Sequence, residues 1–85
     1  MPKVTIYTTP ICPYCTMAKR LLTSKAVAFE EIDVSRDWAL RDALMAKSGG
    51  RTSVPQIWIG ERHVGGCDDL HALDRGGQLD ALLAG

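Results

Sequence analysis

A strand pattern runs directly into two cysteines and then into a helical pattern, and this junction constrains the fold more than any other segment. "KVTIY" (Lys3 to Tyr7) is rich in β-branched and aromatic residues, which is typical of a strand. Cys12 and Cys15 follow in "CPYC", and from Cys15 to Lys25 apolar residues recur at helical spacing. We therefore predict that both thiols lie where the first strand ends and the first helix begins.

The rest of the chain continues to alternate between strand and helix patterns. In chain order we predict a second strand at 27–34, a second helix at 37–47, a hairpin with strands at 56–59 and 62–64, a third helix at 67–74 and a short terminal helix at "LDALLA". Ser35 is the expected N-cap of the second helix. The paired glutamates of the second strand indicate a sheet edge, where charge discourages unwanted pairing.

This order, β-α-β-α-β-β-α, predicts an α/β fold with a four-stranded mixed sheet flanked by helices. The first two strands should be parallel with a right-handed crossover, and the hairpin should be antiparallel. At 85 residues, the chain is expected to form one domain spanning 1–85, with one thin core. Trp58 is predicted to lie in that core and Trp38 to be partly buried.

Composition excludes several function classes. Ten basic and ten acidic residues give zero formal net charge, which argues against nucleic-acid binding and against a polybasic membrane anchor. No apolar run approaches the roughly 20 residues of a membrane helix, and "MPKVTIYTTP" lacks the layout of a secretion signal. We therefore expect a cytoplasmic protein, in which thiols stay reduced and a C-x-x-C pair is catalytic or metal-binding.

The position of the cysteine pair favours redox chemistry. Unsatisfied amides and the helix dipole make a helix N-terminus locally positive, which stabilises a thiolate. A free cysteine, with a pKa near 8.5, is only about 3% thiolate at pH 7, whereas C-x-x-C settings can lower that pKa by several units. Cys12 should be the exposed nucleophile, and Cys15 the shielded thiol that resolves a mixed disulfide. Pro13 fits the first helical turn, and Tyr14 can flank the site.

Two other interpretations of the pair remain open from the residues alone. The cysteines could simply be buried at a strand–helix turn. Alternatively, they could bind zinc, which would need Cys67 and either His63 or His71 as further ligands. The chain has no second C-x-x-C or C-x-x-H pair to complete such a site.

Three motifs together resemble those of the glutaredoxin family: "CPYC", "TSVPQIWI" (52–59) and "GGCDDL" (65–70). Their order and spacing extend over essentially the whole chain and look most like the small bacterial dithiol class, the glutaredoxin-3-like proteins. The resemblance implies a thioredoxin-like fold and glutathione-dependent reduction of protein disulfides and protein–glutathione mixed disulfides. It also implies a monomer with glutathione as co-substrate, no tightly bound cofactor and no metal. Family analogy places ribonucleotide reductase among the protein substrates to consider.

The resemblance assigns glutathione contacts to specific residues. The backbone of Val54 should pair with the cysteine part of glutathione, held by a cis peptide before Pro55, although trans is the commoner state of such bonds. The γ-glutamyl end should dock at the start of the third helix, on Gly66, Cys67 and Asp68. Exposed amides there suit a carboxylate, and an aspartate suits an ammonium.

The residues of "GGCDD" also have simpler explanations. Asp68 and Asp69 could be first-turn acids that complement the helix dipole, which is the preferred interpretation for Asp69. Cys67 could be a packed hydrophobe or an oxidisable thiol. We expect its backbone amide to be the functional part.

One feature departs from the family pattern. Many glutaredoxins place a lysine shortly before the first cysteine, and in "YTTPIC" Thr9 occupies that place. We therefore expect Arg41 to contact the glycine carboxylate of glutathione, with Arg51 as another candidate.

Two alternative functions remain. A redoxin reduced by thioredoxin reductase would share the "CPYC" motif but lack a glutathione site. An iron–sulfur carrier would bind a cluster between two protomers through first cysteines and glutathione, although such carriers commonly have a monothiol C-G-F-S motif.

Overall fold

The computed structural model describes residues 2–51 and 53–85. Thr52, the first residue of the "TSVPQIWI" motif, lies outside the described residues, as does Met1. Within this part of the chain, no helix is long and apolar enough to cross a membrane.

One mixed sheet contains the strands of the described chain: β1 (Val4–Thr8), β2 (Glu30–Asp33), β3 (Gln56–Ile59) and β4 (Arg62–Gly65). Their spatial order is β2-β1-β3-β4. β1 pairs in parallel with β2, as predicted for the first βαβ unit, and antiparallel with β3. β3 and β4 form the predicted antiparallel hairpin. The glutamate-rich β2 is an edge strand, which confirms that prediction.

Helices cover both faces of the sheet: α1 (Pro13–Ser24), α2 (Trp38–Lys47), α3 (Cys67–Arg75) and α4 (Leu79–Ala84). One buried cluster joins α1, α3 and α4 to alternate residues of β1 and β3, and it includes Val4, Ile6, Ala18, Leu22, Ile57, Ile59, Leu70, Leu79 and Leu83. A smaller cluster of Val34, Leu44 and Trp58 lies on the other face, under α2. β3 is therefore buried on both faces, which explains why "QIWI" shows no polar alternation and confirms that Trp58 is core.

The sheet topology brings three distant segments to one end of the molecule. β1 and β3 are antiparallel, and Tyr7 near the end of β1 lies opposite Gln56 at the start of β3. The chain leaving β1 toward Cys12 therefore passes the segment that enters β3. β4 returns to the same end, where Gly65 lies opposite Ile57 and α3 begins.

The predicted boundaries were wrong in two places. The second strand was expected over 27–34 but pairs with β1 only over Glu30–Asp33. The N-cap of α2 is Asp37 rather than Ser35, because the Asp37 carboxylate accepts the amide hydrogen of Leu40 at 3.0 Å. The Ser35 amide instead donates to the Asp33 carboxylate at 2.8 Å, in the turn before the helix.

The prediction that Trp38 is partly buried was also wrong. Its side chain is 83% exposed. The buried residue of α2 is Leu44, so this helix contacts the sheet near its C-terminal half and leaves its first turn in solvent.

Candidate active site

Cys12 is the N-cap of α1, where the strand-to-helix turn places its sulfur at the positive end of the helix. Its backbone is extended (φ −148°, ψ 100°), and its sulfur accepts the amide hydrogen of Cys15 at 3.1 Å. The Thr16 amide donates to the Cys12 carbonyl at 3.1 Å, which closes the first helical turn. Pro13 lies in that turn, where its missing N–H removes no helical hydrogen bond. A negative charge on the Cys12 sulfur would be stabilised by the Cys15 amide and by the helix dipole.

The two cysteines differ in accessibility. Their sulfur atoms lie 2.50 Å apart as a disulfide pair, and their Cα atoms are 5.2 Å apart. Cys15 is only 1% exposed, whereas Cys12 is half-buried. A disulfide substrate arriving from solvent therefore meets the sulfur of Cys12 first.

A cavity of about 330 Å³ lies beside the cysteine pair. The sulfur of Cys12 is 3.8 Å from the carbonyl oxygen of Val54, which lines the cavity. The Val54–Pro55 peptide is cis, the isomer that the resemblance implies. Among the described residues, its lining consists of Tyr14, Arg51, Ser53, Val54, Pro55, Gly66, Cys67, Asp68 and Asp69. Among the predicted glutathione contacts, all except Arg41 meet in this cavity.

The start of α3 forms one end of the cavity. The Asp69 carboxylate accepts the Gly66 amide hydrogen at 2.9 Å and lies 3.4 Å from the Arg51 guanidinium, so it caps the helix as its first-turn position suggested. The amides at the first turn of a helix have no partner within it, which leaves those of Cys67 and Asp68 free of helical bonds. The exposed Asp68 carboxylate lies beside them.

The thiol of Cys67 is packed rather than reactive. Its side chain is buried, and its sulfur lies 3.4 Å from Nδ1 of His71 on the next turn of α3. Burial, together with the negative charge of Asp68, raises the pKa of this thiol. The protonated form therefore dominates at neutral pH, which favours the packed-hydrophobe interpretation over an oxidisable thiol.

Arg41 and Arg51 occupy different places. Arg41 lines a separate cavity of about 90 Å³ with Val34, Ser35, Asp37 and Trp38. Arg51 lines the cavity beside the cysteines. The structure therefore does not bring Arg41 to the predicted site, because α2 follows the edge strand β2, whereas Val54 and the start of α3 adjoin β3 and β4 on the other side of β1.

Sequence reasoning missed Ser53 as a lining residue. It directly precedes Val54, and this adjacency in the "TSVP" motif was the available signal.

The zinc alternative would need at least three ligands in one place. Over residues 2–51 and 53–85, no group of three His, Cys, Asp or Glu side chains is arranged to hold a metal ion.

Comparison with known proteins gives consistent matches. The sequence model of the glutaredoxin family matches residues 4–64. Over 84 residues the chain is 62% identical to a glutaredoxin of Pseudomonas aeruginosa, covering 99% of both proteins. Over 83 residues it is 53% identical to glutaredoxin 3 of Escherichia coli K12, covering 98% of this chain and 99% of that one. The crystal structure of a buckwheat glutaredoxin–glutathione complex matches with a TM-score of 0.89 at 27% identity, covering 98% of this chain and 77% of that one. The fold is thus the thioredoxin-like fold that the sequence predicts.

Proposed function

Because this chain belongs to the glutaredoxin family and is a thiol-disulfide oxidoreductase, we propose that it uses glutathione to reduce protein disulfides and protein–glutathione mixed disulfides. The observation that carries this proposal is the cavity beside Cys12, whose polar groups complement those of glutathione. Its volume of about 330 Å³ falls within the range of small-molecule sites. The buckwheat relative, solved as a glutathione complex, supports the same assignment.

Each part of glutathione has a partner of suitable chemistry in the cavity. The amides at the start of α3 suit the γ-glutamyl carboxylate, and the Asp68 carboxylate suits the neighbouring ammonium. The Val54 backbone, beside the Cys12 sulfur, suits the peptide group of the central cysteine. We assign the glycine carboxylate to Arg51, since this guanidinium lines the cavity and Arg41 does not.

Reduction of a protein–glutathione mixed disulfide needs only Cys12. Its thiolate attacks the glutathione sulfur, a new Cys12–glutathione disulfide forms, and the substrate protein leaves as a thiolate that takes up a proton. A second glutathione thiolate then attacks the bound glutathione sulfur. This step releases oxidised glutathione and restores the Cys12 thiolate, so the disulfide bond passes from the substrate to a pair of glutathione molecules and one free glutathione is consumed per turnover.

Reduction of a protein disulfide uses both cysteines. Cys12 attacks one substrate sulfur and forms a mixed disulfide, and the other substrate sulfur leaves as a thiolate. Cys15 then attacks the Cys12 sulfur, which releases the second substrate thiolate and forms the Cys12–Cys15 disulfide. Two glutathione molecules reduce that disulfide in turn. The Cα atoms of the two cysteines lie 5.2 Å apart, a separation at which a disulfide can form, and this supports the resolving step.

One chain suffices for this chemistry, because Cys12, Cys15 and the described residues that line the cavity all belong to the same protomer. We therefore propose a monomer, with no tightly bound cofactor, acting on glutathionylated or disulfide-containing proteins. Reduced glutathione is abundant in the cytosol, which is the compartment we propose.

The test is turnover of a glutathionylated peptide with glutathione, glutathione reductase and NADPH. We expect Cys12→Ser to abolish turnover, because no other thiol at the cavity is accessible. Cys15→Ser should keep deglutathionylation but lose reduction of a protein disulfide. If Cys15→Ser were inactive on the glutathionylated peptide and Cys12→Ser active, the assigned roles would be wrong.

Two further assays address the alternative functions. Replacing glutathione and its reductase by thioredoxin reductase tests a redoxin without a glutathione site, and we expect the glutathione system to be the faster reductant. Anaerobic reconstitution with iron and sulfide, followed by a visible spectrum, tests cluster binding. Full turnover with thioredoxin reductase and none with glutathione would reject the proposal.

A further inference from the structure

Hydrogen bonds connect His63 on β4, through the side chain of Gln56, to Ser53 in the segment that lines the cavity. Nε2 of His63 lies 2.7 Å from Oε1 of Gln56. The Gln56 amide nitrogen donates to the Ser53 carbonyl oxygen at 3.0 Å and lies 3.4 Å from the Ser53 hydroxyl. Gln56 is 0% exposed, so its amide group depends on these protein partners rather than on water.

The direction of each hydrogen bond follows from the chemistry of the groups. A backbone carbonyl can only accept, so the NH₂ group of Gln56 must face Ser53 and its oxygen must face His63. The ring nitrogen that meets this oxygen must then carry a hydrogen. His63 is therefore protonated on Nε2.

The ring of His63 is held in place from its face as well. It stacks on Trp58 with ring centroids 4.4 Å apart and an interplanar angle of 23°. The Lys47 ammonium lies 4.5 Å from the centroid of the Trp58 ring. Burial and the positive charges of Arg51 and Lys47 lower the pKa of His63, against an opposing effect of Asp69, so the neutral ring dominates at neutral pH.

From this geometry we propose that His63 is a positioning residue: through Gln56, it fixes the Ser53–Val54 backbone in the conformation that receives the peptide part of the substrate. The inference rests on the proposed function, since it concerns the same glutathione site. His63 does not line the cavity, so it acts only through Gln56 and Ser53. The role predicts poorer substrate binding when the N–H donor is lost, even if the ring stacking on Trp58 is kept.

Two substitutions separate the hydrogen bond from the stacking. His63→Phe keeps an aromatic ring over Trp58 but removes the donor, whereas His63→Gln places an amide N–H near the position of Nε2 and removes the ring. With a glutathionylated peptide, we expect His63→Phe to raise KM about three- to tenfold at unchanged kcat, the effect of losing about one hydrogen bond of ground-state binding. His63→Gln should stay within about twofold of the parent KM.

A second pair of variants tests the other end of the chain of hydrogen bonds. Gln56→Leu should raise KM by a similar factor, and adding it to His63→Phe should give little further increase, because both break the same connection. Gln78→Leu, at the start of α4 and outside the cavity, is the matched control. Thermal denaturation of each variant identifies any that fails to fold.

A reaction without a peptide substrate separates positioning from cysteine reactivity. The reduced variants should react with 4,4′-dithiodipyridine at the parent rate, because that disulfide makes no peptide contacts. Three results would overturn the inference: a His63→Phe KM within about twofold of the parent, equal KM increases for His63→Phe and His63→Gln, or an equal loss of rate with dithiodipyridine.

The tautomer of His63 supplies a readout that does not depend on glutathione. Nitrogen-15 NMR of the parent protein at neutral pH should show the hydrogen on Nε2 of His63, and hydrogen on Nδ1 alone would contradict the connection through Gln56. If the parent did not turn over the glutathionylated peptide at all, the proposed function would fail. The NMR result would then still decide whether the hydrogen-bonded chain exists.

Discussion

Cys12 and Cys67 both stand at the N-terminal end of a helix, yet their surroundings give them opposite properties. The Cys12 sulfur is half-buried and accepts the Cys15 amide hydrogen. The Cys67 sulfur is buried beside Asp68, which raises its pKa. A helix N-terminus is therefore not enough to ionise a thiol. The direction of the side chain and its access to water decide which cysteine can act as a nucleophile.

Glu31 gives a pH dependence that can be measured at the level of one residue. Its carboxylate accepts the Thr8 hydroxyl hydrogen at 2.8 Å and pairs with the Lys19 ammonium at 3.0 Å. These contacts, with Thr8 the larger cause, lower the pKa of Glu31 below its ordinary value of 4.5. Because the pKa of Glu31 is lower in the folded state, the unfolded chain binds more protons at pH values between the folded-state and unfolded-state pKa. The stabilisation is therefore present above pH 4.5 and is lost as pH falls through the folded-state value.

We predict that Glu31→Gln lowers the free energy of unfolding at neutral pH by up to about 1 kcal/mol, a modest value because the side chain is 40% exposed. This difference from the parent should shrink toward about pH 3. Urea denaturation at both pH values measures it, with Glu61→Gln in the β3–β4 turn as the control. A difference that stays constant between the two pH values would contradict the assignment.

At the scale of elements, the junction between β4 and α3 determines the shape of the cavity. Gly65 has a φ of 117°, in the region that side chains rarely adopt. A Cβ there would also collide with the Asp69 carboxylate and come within 2.9 Å of the Arg51 guanidinium. Gly66 has an ordinary φ of −94°, and its nearest neighbour to an added Cβ is the Pro55 carbonyl oxygen at 3.5 Å. The backbone conformation at Gly65 therefore requires glycine, whereas the conformation at Gly66 is open to other residues.

The two glycines therefore make a matched pair. We predict that Gly65→Ala lowers the free energy of unfolding by about 2–4 kcal/mol, because it combines backbone strain with a collision. Gly66→Ala should cost no more than about 1 kcal/mol, the effect of a poorer N-cap. Chemical denaturation compares them directly, and equal losses for both variants would show that the junction is not strained in this way.

The sequence predicts the helices and strands better than it predicts their ends or the exposure of their side chains. Hydrophobic periodicity predicted the elements correctly, but it does not locate an N-cap, and both the expected Ser35 and the observed Asp37 are good capping residues. The exposure of Trp38 depends on which end of α2 meets the sheet, and this is a tertiary property. Similarly, the spacing of motifs located the cysteine pair and the loops around it. It could not decide between Arg41 and Arg51, which only the folded structure separates.

For the whole molecule, the sheet order explains why a chain of 85 residues can build this site. The antiparallel β1–β3 and β3–β4 pairs bring the turn after β1, the segment before β3 and the start of α3 to one end. Helices on both faces bury the central strand β3, which anchors that segment through Gln56. The nucleophile and its cavity thus depend on cooperative folding of the sheet rather than on any single motif. The hydrogen bonds that join His63, Gln56 and Ser53 cross the hairpin and leave no pattern in the sequence.

We propose that Cys12 ionises readily because its sulfur accepts the Cys15 amide hydrogen at the positive end of α1. The pH dependence of Cys12 alkylation in the reduced protein, resolved by mass spectrometry of the modified peptide, tests this most directly. We predict that alkylation reaches its midpoint well below the value of about 8.5 for a free cysteine. A midpoint at the free-cysteine value would contradict the account.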